Sequence, residues 1–96
     1  MRTINVGGTF PSDQSRQTNV LVDGIEYCVN EHYWEESGVW EIAVDHSLDN
    51  TMNQHELLAY FDRQRNVGIA LLVLGYEMEC MIDENTSLWL KDGTEN

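Results

Sequence analysis

The run NVLVDGIEYCVNEHYW, residues 19–34, constrains the fold more than any other stretch of the chain. Two segments rich in β-branched and aromatic residues meet at Asp23-Gly24. An Asp-Gly pair in that setting favours a two-residue type I′ turn, because both central positions need positive φ. The hairpin then sets its own register, with Val22 facing Ile25 and Val20 facing Tyr27. After a polar turn, EESG (35–38), the segment VWEIAVDH alternates. Trp40, Ile42 and Val44 point one way, and Glu41, Ala43 and Asp45 the other. These signals predict a three-stranded antiparallel meander over about 19–46.

The flanks are read more coarsely. RTINV (2–6) suits a short strand, and GGTFPSDQSRQT (7–18) collects loop formers. A helix is expected to begin near Asn53, with Leu57, Leu58 and Phe61 as its apolar stripe and Arg63 and Arg65 in its last turn. NVGIALLVLGY (66–76) is continuously apolar, so periodicity alone does not separate helix from strand. A second short helix, capped by Asn66, ended by Gly75 and covered by Tyr76, is preferred. YEMECMI (76–82) alternates like a half-buried strand, SLWL (87–90) returns beside it, and the tail KDGTEN (91–96) is expected to fray. The expectation is one α+β domain: the meander, one or two helices over about 53–74, and a C-terminal hairpin over about 76–90.

Charge limits the partners. Seventeen acids face five Lys and Arg, a net charge of −12 over 96 residues. Unpaired carboxylates are too costly to bury, so most must lie on the surface. The resulting field repels nucleic acid and anionic membrane and attracts basic surfaces. No apolar run reaches the length of a membrane span, and the first residues lack the apolar core of a signal peptide, so a cytoplasmic protein is expected. Cys28 and Cys80 lack metal-ligand spacing and are expected to be free and buried.

The segment DHSLDNTMNQHE (45–56) has oxygen ligands spaced as in a calcium loop, at Asp45, Ser47, Asp49, Thr51, Asn53 and Glu56. It resembles an EF-hand loop in spacing alone. The sixth position is Asn50 where a glycine is usual, and the preceding residues alternate like a strand. Asn53 as N-cap with Glu56 three residues on explains the same residues without a metal. Calcium at Asp45, Ser47, Asp49, Thr51 and Glu56 is therefore kept as the alternative, with no cofactor as the main expectation.

Catalytic chemistry has little to stand on. Asp45, His46 and Ser47 have the residue types of a hydrolase triad, but neighbours on a strand point to opposite faces. His32, His46 and His55 are expected at the surface. The chain is expected not to be an enzyme.

What remains is recognition. Trp34, Glu35 and Glu36 surround the turn before Trp40, and Glu77 and Glu79 recur along one strand, followed by Asp83 and Glu84. An aromatic anchor beside repeated carboxylates suits a binding surface. The expected function is a small acidic inhibitor that binds a basic, nucleic-acid-handling protein, a nuclease or defence complex, by standing in for phosphates. DNA mimics, nuclease immunity proteins and phage-encoded inhibitors of host defence use this physics. A homodimer through an open sheet edge is a further expectation. The plainest alternative is an accessory domain whose acidity serves only solubility.

Overall fold

The computed structural model describes residues 3–8, 12–48 and 50–93. It is an α+β fold: β1 (Thr3–Val6), β2 (Gln14–Val22), β3 (Ile25–Trp34), β4 (Val39–Asp45), α1 (Gln54–Val73), β5 (Glu77–Asp83) and β6 (Thr86–Asp92). Among the described residues the strands form one six-stranded sheet with one helix on it.

The Asp-Gly hairpin forms as its residues dictate. Asp23 and Gly24 have φ of 52° and 74°, and Val22 pairs with Ile25 and Val20 with Tyr27. Strand β2 starts earlier than expected, at Gln14, so the predicted loop over 7–18 is corrected in its second half. Its polar residues are strand-forming here because Arg16 and Thr18 meet a buried carboxylate, Glu31, across the ladder. The loop end Phe10 and Pro11 and the start Arg2 lie outside the described residues.

Because β2 pairs with β3 along its whole length, β1 and β4 share the other edge of β3. Strand β1 runs parallel to β3 at Glu26–Val29, and β4 runs antiparallel at His32–Trp34. The sheet forks between them. Gly7, with φ of 80°, sits in the fork, where a Cβ would press on the Asn30 carbonyl and Ile42.

Strand β4 continues into β6 and β6 into β5, giving a three-stranded wing. The core is Val6, Val22, Tyr27, Val29, Trp40, Ile42 and Val44 from the sheet, and Val67, Ala70, Leu71 and Tyr76 from the helix and its exit.

Helix α1 is continuous. Its Asn53 carboxamide accepts the Glu56 N–H at 2.9 Å, the expected N-cap. Asn66 is a buried mid-helix residue and caps nothing, so Arg63 and Arg65 lie inside the helix. The helix ends at Gly75, φ 94°, with Tyr76 N–H on Leu71 O and Gly75 N–H on Leu72 O. That Schellman closure satisfies the last carbonyls and tucks Tyr76 into the core.

The stripe Leu57, Leu58, Phe61 is corrected. Leu58 and Phe61 are 60% and 54% exposed, and the buried face is Tyr60, Asn66, Val67, Ala70 and Leu71. The helix is apolar on both sides, and its seat on the sheet decides which side is buried. It packs on β2 and β3. The far strand β5 therefore has no layer over it, and all seven of its residues are exposed rather than half-buried. Cys80 is thus exposed, against expectation, and Cys28 is half-buried; both are free thiols. Of the expected tail, Lys91 and Asp92 belong to β6, and residues 94–96 lie outside the described residues.

Candidate functional site

The β4–β6–β5 wing has two unlike faces. In an antiparallel ladder, directly opposed residues point to the same side. Trp40, Ile42 and Val44 point to the helix, and so do their partners Lys91, Trp89 and Ser87. The other face follows from the same register. One row across it is Glu41, Leu90, Glu77; another is Ala43, Leu88, Cys80; a third is Asp45, Thr86, Asp83. Trp34, Val39 and Asp92 make the end row. Five carboxylates thus frame a short apolar strip of Leu88, Leu90 and Ala43. By strand geometry, Glu41 and Glu77 stand roughly 10 Å apart across two ladders, and Glu41 and Asp45 roughly 13 Å apart along one strand.

The expected site residues distribute over this wing. Trp34 lies on the outer face, half-buried, and Glu35 and Glu36 occupy the exposed turn just beyond it. The Asp13 carboxylate accepts the Glu35 N–H at 2.7 Å and holds that turn. Glu77 belongs to the row with Glu41, while Asp83 and Glu84 lie at the opposite end, about 20 Å along β5. Glu79 does not extend a regular ladder with Glu77, because the register shifts between Met78 and Cys80. Glu41 and Asp92 belong to no set expected from the sequence, and Asp45 is expected there only as a calcium ligand. The alternation of VWEIAVD already turns Glu41 and Asp45 away from the core; Asp92 lies in KDGTEN, whose composition carries no strand signal.

The basic residues stand elsewhere. Arg16 reaches Glu31 at 2.8 Å and lies 4.0 Å above the Trp40 ring, on the helix side. Lys91 approaches Glu31 at 3.9 Å. Arg65 meets Asp23 at 3.3 Å and Arg63 lies over Tyr60, both from α1. Among the described residues, register places no Lys or Arg on the outer face of the wing. Asp45, at the end of β4, borders a cleft that Tyr60 and Arg63 of the helix also line, and it is held anionic: the Ser47 hydroxyl at 2.6 Å, then the Ser47 N–H at 2.8 Å, lower its pKa below the ordinary carboxylate value.

The calcium-loop residues are placed by other tasks. Asp45 Oδ1 closes a turn with Ser47, and Asn53 caps the helix in which Glu56 occupies the first turn. Thr51 lies in the turn before it, and Asp49 lies outside the described residues. No cluster of three or more His, Cys, Asp or Glu suited to a metal occurs among the described residues.

The histidines are not simply surface groups. His32 is buried and its Nε2 donates to Gly8 O at 2.7 Å. His46 meets neither Asp45 nor Ser47 as a triad would. Its Nδ1 lies 2.8 Å from Gln64 Oε1, and its Nε2 2.6 Å from Ser87 Oγ, which also accepts the Trp89 Nε1–H at 2.9 Å. Gln64 turns its amide nitrogen to the Asp45 carbonyl, so its oxygen faces His46 and Nδ1 carries the proton. The hydroxyl of Ser87 then donates to Nε2. The pair has the look of a nucleophile and base, but Ser87 is 0% exposed, and the chain of bonds ties helix, β4 and hairpin together.

No helix among the described residues is long and apolar enough to cross a membrane. No family model, curated protein or solved structure matches the chain.

Proposed function

We propose that the protein is a small acidic binding partner of a basic, nucleic-acid-handling protein, and that it occupies that partner's phosphate-gripping Arg and Lys with the outer face of β4, β6 and β5. The observation that carries this is the register: Glu41, Glu77, Asp45, Asp83 and Asp92 share one face, and the described bases lie on the other face or on the helix. Rows of charge roughly 10 Å apart are on the scale of a nucleic-acid groove, about 12 Å in the B-form major groove. The apolar strip between the rows adds burial, and Trp34 at its end supplies an aromatic anchor.

The same face disfavours self-association through β5. Antiparallel pairing of two full-length β5 edges about a twofold axis at Cys80 brings Glu77 opposite Asp83, and like charges directly opposed destabilise a ladder. A basic partner meets no such repulsion.

The test is capture from a lysate on the immobilised protein, at salt raised from about 0.01 M to about 1 M, which contracts the Debye length from about 30 Å to about 3 Å. The retained species is expected to be a basic nucleic-acid-binding protein that added DNA or RNA displaces and salt releases. The triple reversal E41K/E77K/D83K is expected to abolish capture, and Asp62→Lys on the helix to leave it. Equal capture by the triple variant, or retention indifferent to salt, rejects the proposal.

A further inference from the structure

The side of α1 turned away from the sheet is apolar. At 3.6 residues per turn, Leu58, Phe61, Arg65, Ile69 and Leu72 fall within one arc of about 80° around the helix, and the buried Tyr60, Val67, Ala70 and Leu71 fall on the opposite side. Leu58, Phe61, Ile69 and Leu72 are 60%, 54%, 40% and 62% exposed, and Val73 beside them is 68% exposed. Polar residues are the rule on the solvent side of a helix that covers a sheet. Single exposed apolar side chains are ordinary, but a contiguous row of them marks an interface. By ordinary side-chain areas these five expose on the order of 500 Å² together.

The spacing of the row specifies its partner. From Leu58 to Phe61, Arg65, Ile69 and Leu72 the steps are 3, 4, 4 and 3 residues, which read the same from either end. Two copies of α1 laid antiparallel about Arg65 set Leu58 against the partner's Leu72 and Phe61 against the partner's Ile69. Each contact then occurs twice, the self-complementarity that a twofold interface requires. Charge agrees with this occupant. In a chain of net charge −12, α1 carries Glu56 and Asp62 against Arg63 and Arg65 and is itself neutral. Two anionic copies therefore meet there with little local repulsion. Arg65, at the centre, already has the Asp23 carboxylate at 3.3 Å as its counterion, which blunts its approach to its own copy. Two such rows bury on the order of 1,000 Å², the lower bound of a specific interface, so the association is reversible. We propose that the protein forms a reversible homodimer by antiparallel pairing of α1 along this row. The acidic outer face of β4, β6 and β5 lies on the other side of the sheet and stays open on each copy.

Sedimentation equilibrium of the full chain from about 1 μM to about 1 mM is expected to show the mass rising from one chain toward two. The association is expected to strengthen with added salt, which screens the repulsion between two anionic copies. Capture of a basic partner has the opposite salt response, so the two proposals fail separately. Leu58→Lys combined with Leu72→Lys lowers the net negative charge, which by charge alone favours association, but sets cations opposite each other in the seam. That variant is expected to stay monomeric throughout, with a thermal midpoint in dilute solution close to that of the wild type. The arrangement is read by cross-linking in a chain with Cys28→Ser and Cys80→Ser. Arg65→Cys is expected to join to its own copy on mild oxidation, since residues facing across the twofold axis come within the Cα reach of a disulfide, about 7 Å. Leu58→Cys, with its two copies about 20 Å apart along the seam, is expected to join only when mixed with Leu72→Cys. A chain that stays monomeric at every concentration overturns the proposal, whether or not it binds phosphatidylcholine vesicles through this row instead. So does a doubly substituted variant that dimerises like the wild type, a Leu58→Cys chain that joins to itself, or an association that salt disperses.

Discussion

At the scale of single residues, Glu31 is the group on which most polar structure converges. Its side chain is 0% exposed and accepts from Arg16 Nε at 2.8 Å, Thr18 Oγ1 at 2.5 Å and the Tyr76 hydroxyl at 2.6 Å. Burial pushes its pKa up, but those hydrogen bonds and the charge of Arg16 outweigh burial, and the carboxyl titrates below its ordinary value. A depressed folded-state pKa contributes stability that is present above the unfolded value, about 4.5, and is lost as pH falls through the folded one. Glu31→Gln leaves Arg16 and Lys91 facing a neutral amide. It is expected to cost about 3 kcal/mol at neutral pH, the low end for breaking a buried pair, because Arg16 is partly exposed and relaxes into water. Urea unfolding at neutral pH and near pH 3 checks this. The gap between wild type and variant shrinks in acid, where wild-type Glu31 is increasingly protonated. A gap of equal size at both pH values means that the carboxylate charge is not its source.

At the scale of elements, α1 makes two glycines behave oppositely. Gly75 closes the helix at φ 94°, and an added Cβ there meets Lys91 Cδ at 3.4 Å. Gly68 sits mid-helix, and a Cβ there meets nothing within 4 Å. Gly75→Ala is expected to destabilise by about 1–2 kcal/mol, the cost of a left-handed residue with a side chain. Gly68→Ala is expected to stabilise by about 0.5–1 kcal/mol. Thermal melts of the two variants must move apart; a shared direction contradicts the assignment of where the helix stops. This element also marks how far the residues reveal the fold unaided. The Asp-Gly turn, the alternation of β4, the Asn53 cap and the Gly75 stop are local, and each was legible. Which side of α1 is buried was not, because Leu58 and Phe61 compete with Tyr60 and Val67 for the core, and only the position of the helix over β2 and β3 decides. The exposure of β5 was illegible for the same reason, since alternation implies a covering layer without supplying one. The parallel pairing of β1 is a long-range choice that four residues do not encode. Of the candidate site, the turn acids were visible one by one. Their gathering with Glu41 and Asp45 depends on the β4–β6–β5 register, which no short motif announces.

At the scale of the whole molecule, twelve excess negative charges act on one small fold. Among the described residues, three attractive pairs on two carboxylates oppose them in unequal ways. Arg16 and Lys91 meet a carboxylate, Glu31, that is itself 0% exposed, so those pairs are only partly open to ions; Arg65–Asp23 has both side chains more than half exposed and is worth little in water. Screening by salt therefore weakens far more repulsion than attraction, and the sign is fixed: added salt stabilises the folded state. The thermal midpoint is expected to rise between about 0.01 M and about 1 M sodium chloride, with most of the gain at the low end, where the Debye length falls below the spacing of the wing carboxylates. Binding to a basic partner has the opposite sign, since there the screened interactions are attractions between surfaces. The two salt responses must therefore cross. Salt that releases the proposed partner is expected to do so from a protein that is more firmly folded, so loss of contact is separable from loss of structure. A midpoint that falls as salt is added would mean that attractive pairs dominate the surface, and that the wing does not present uncompensated charge.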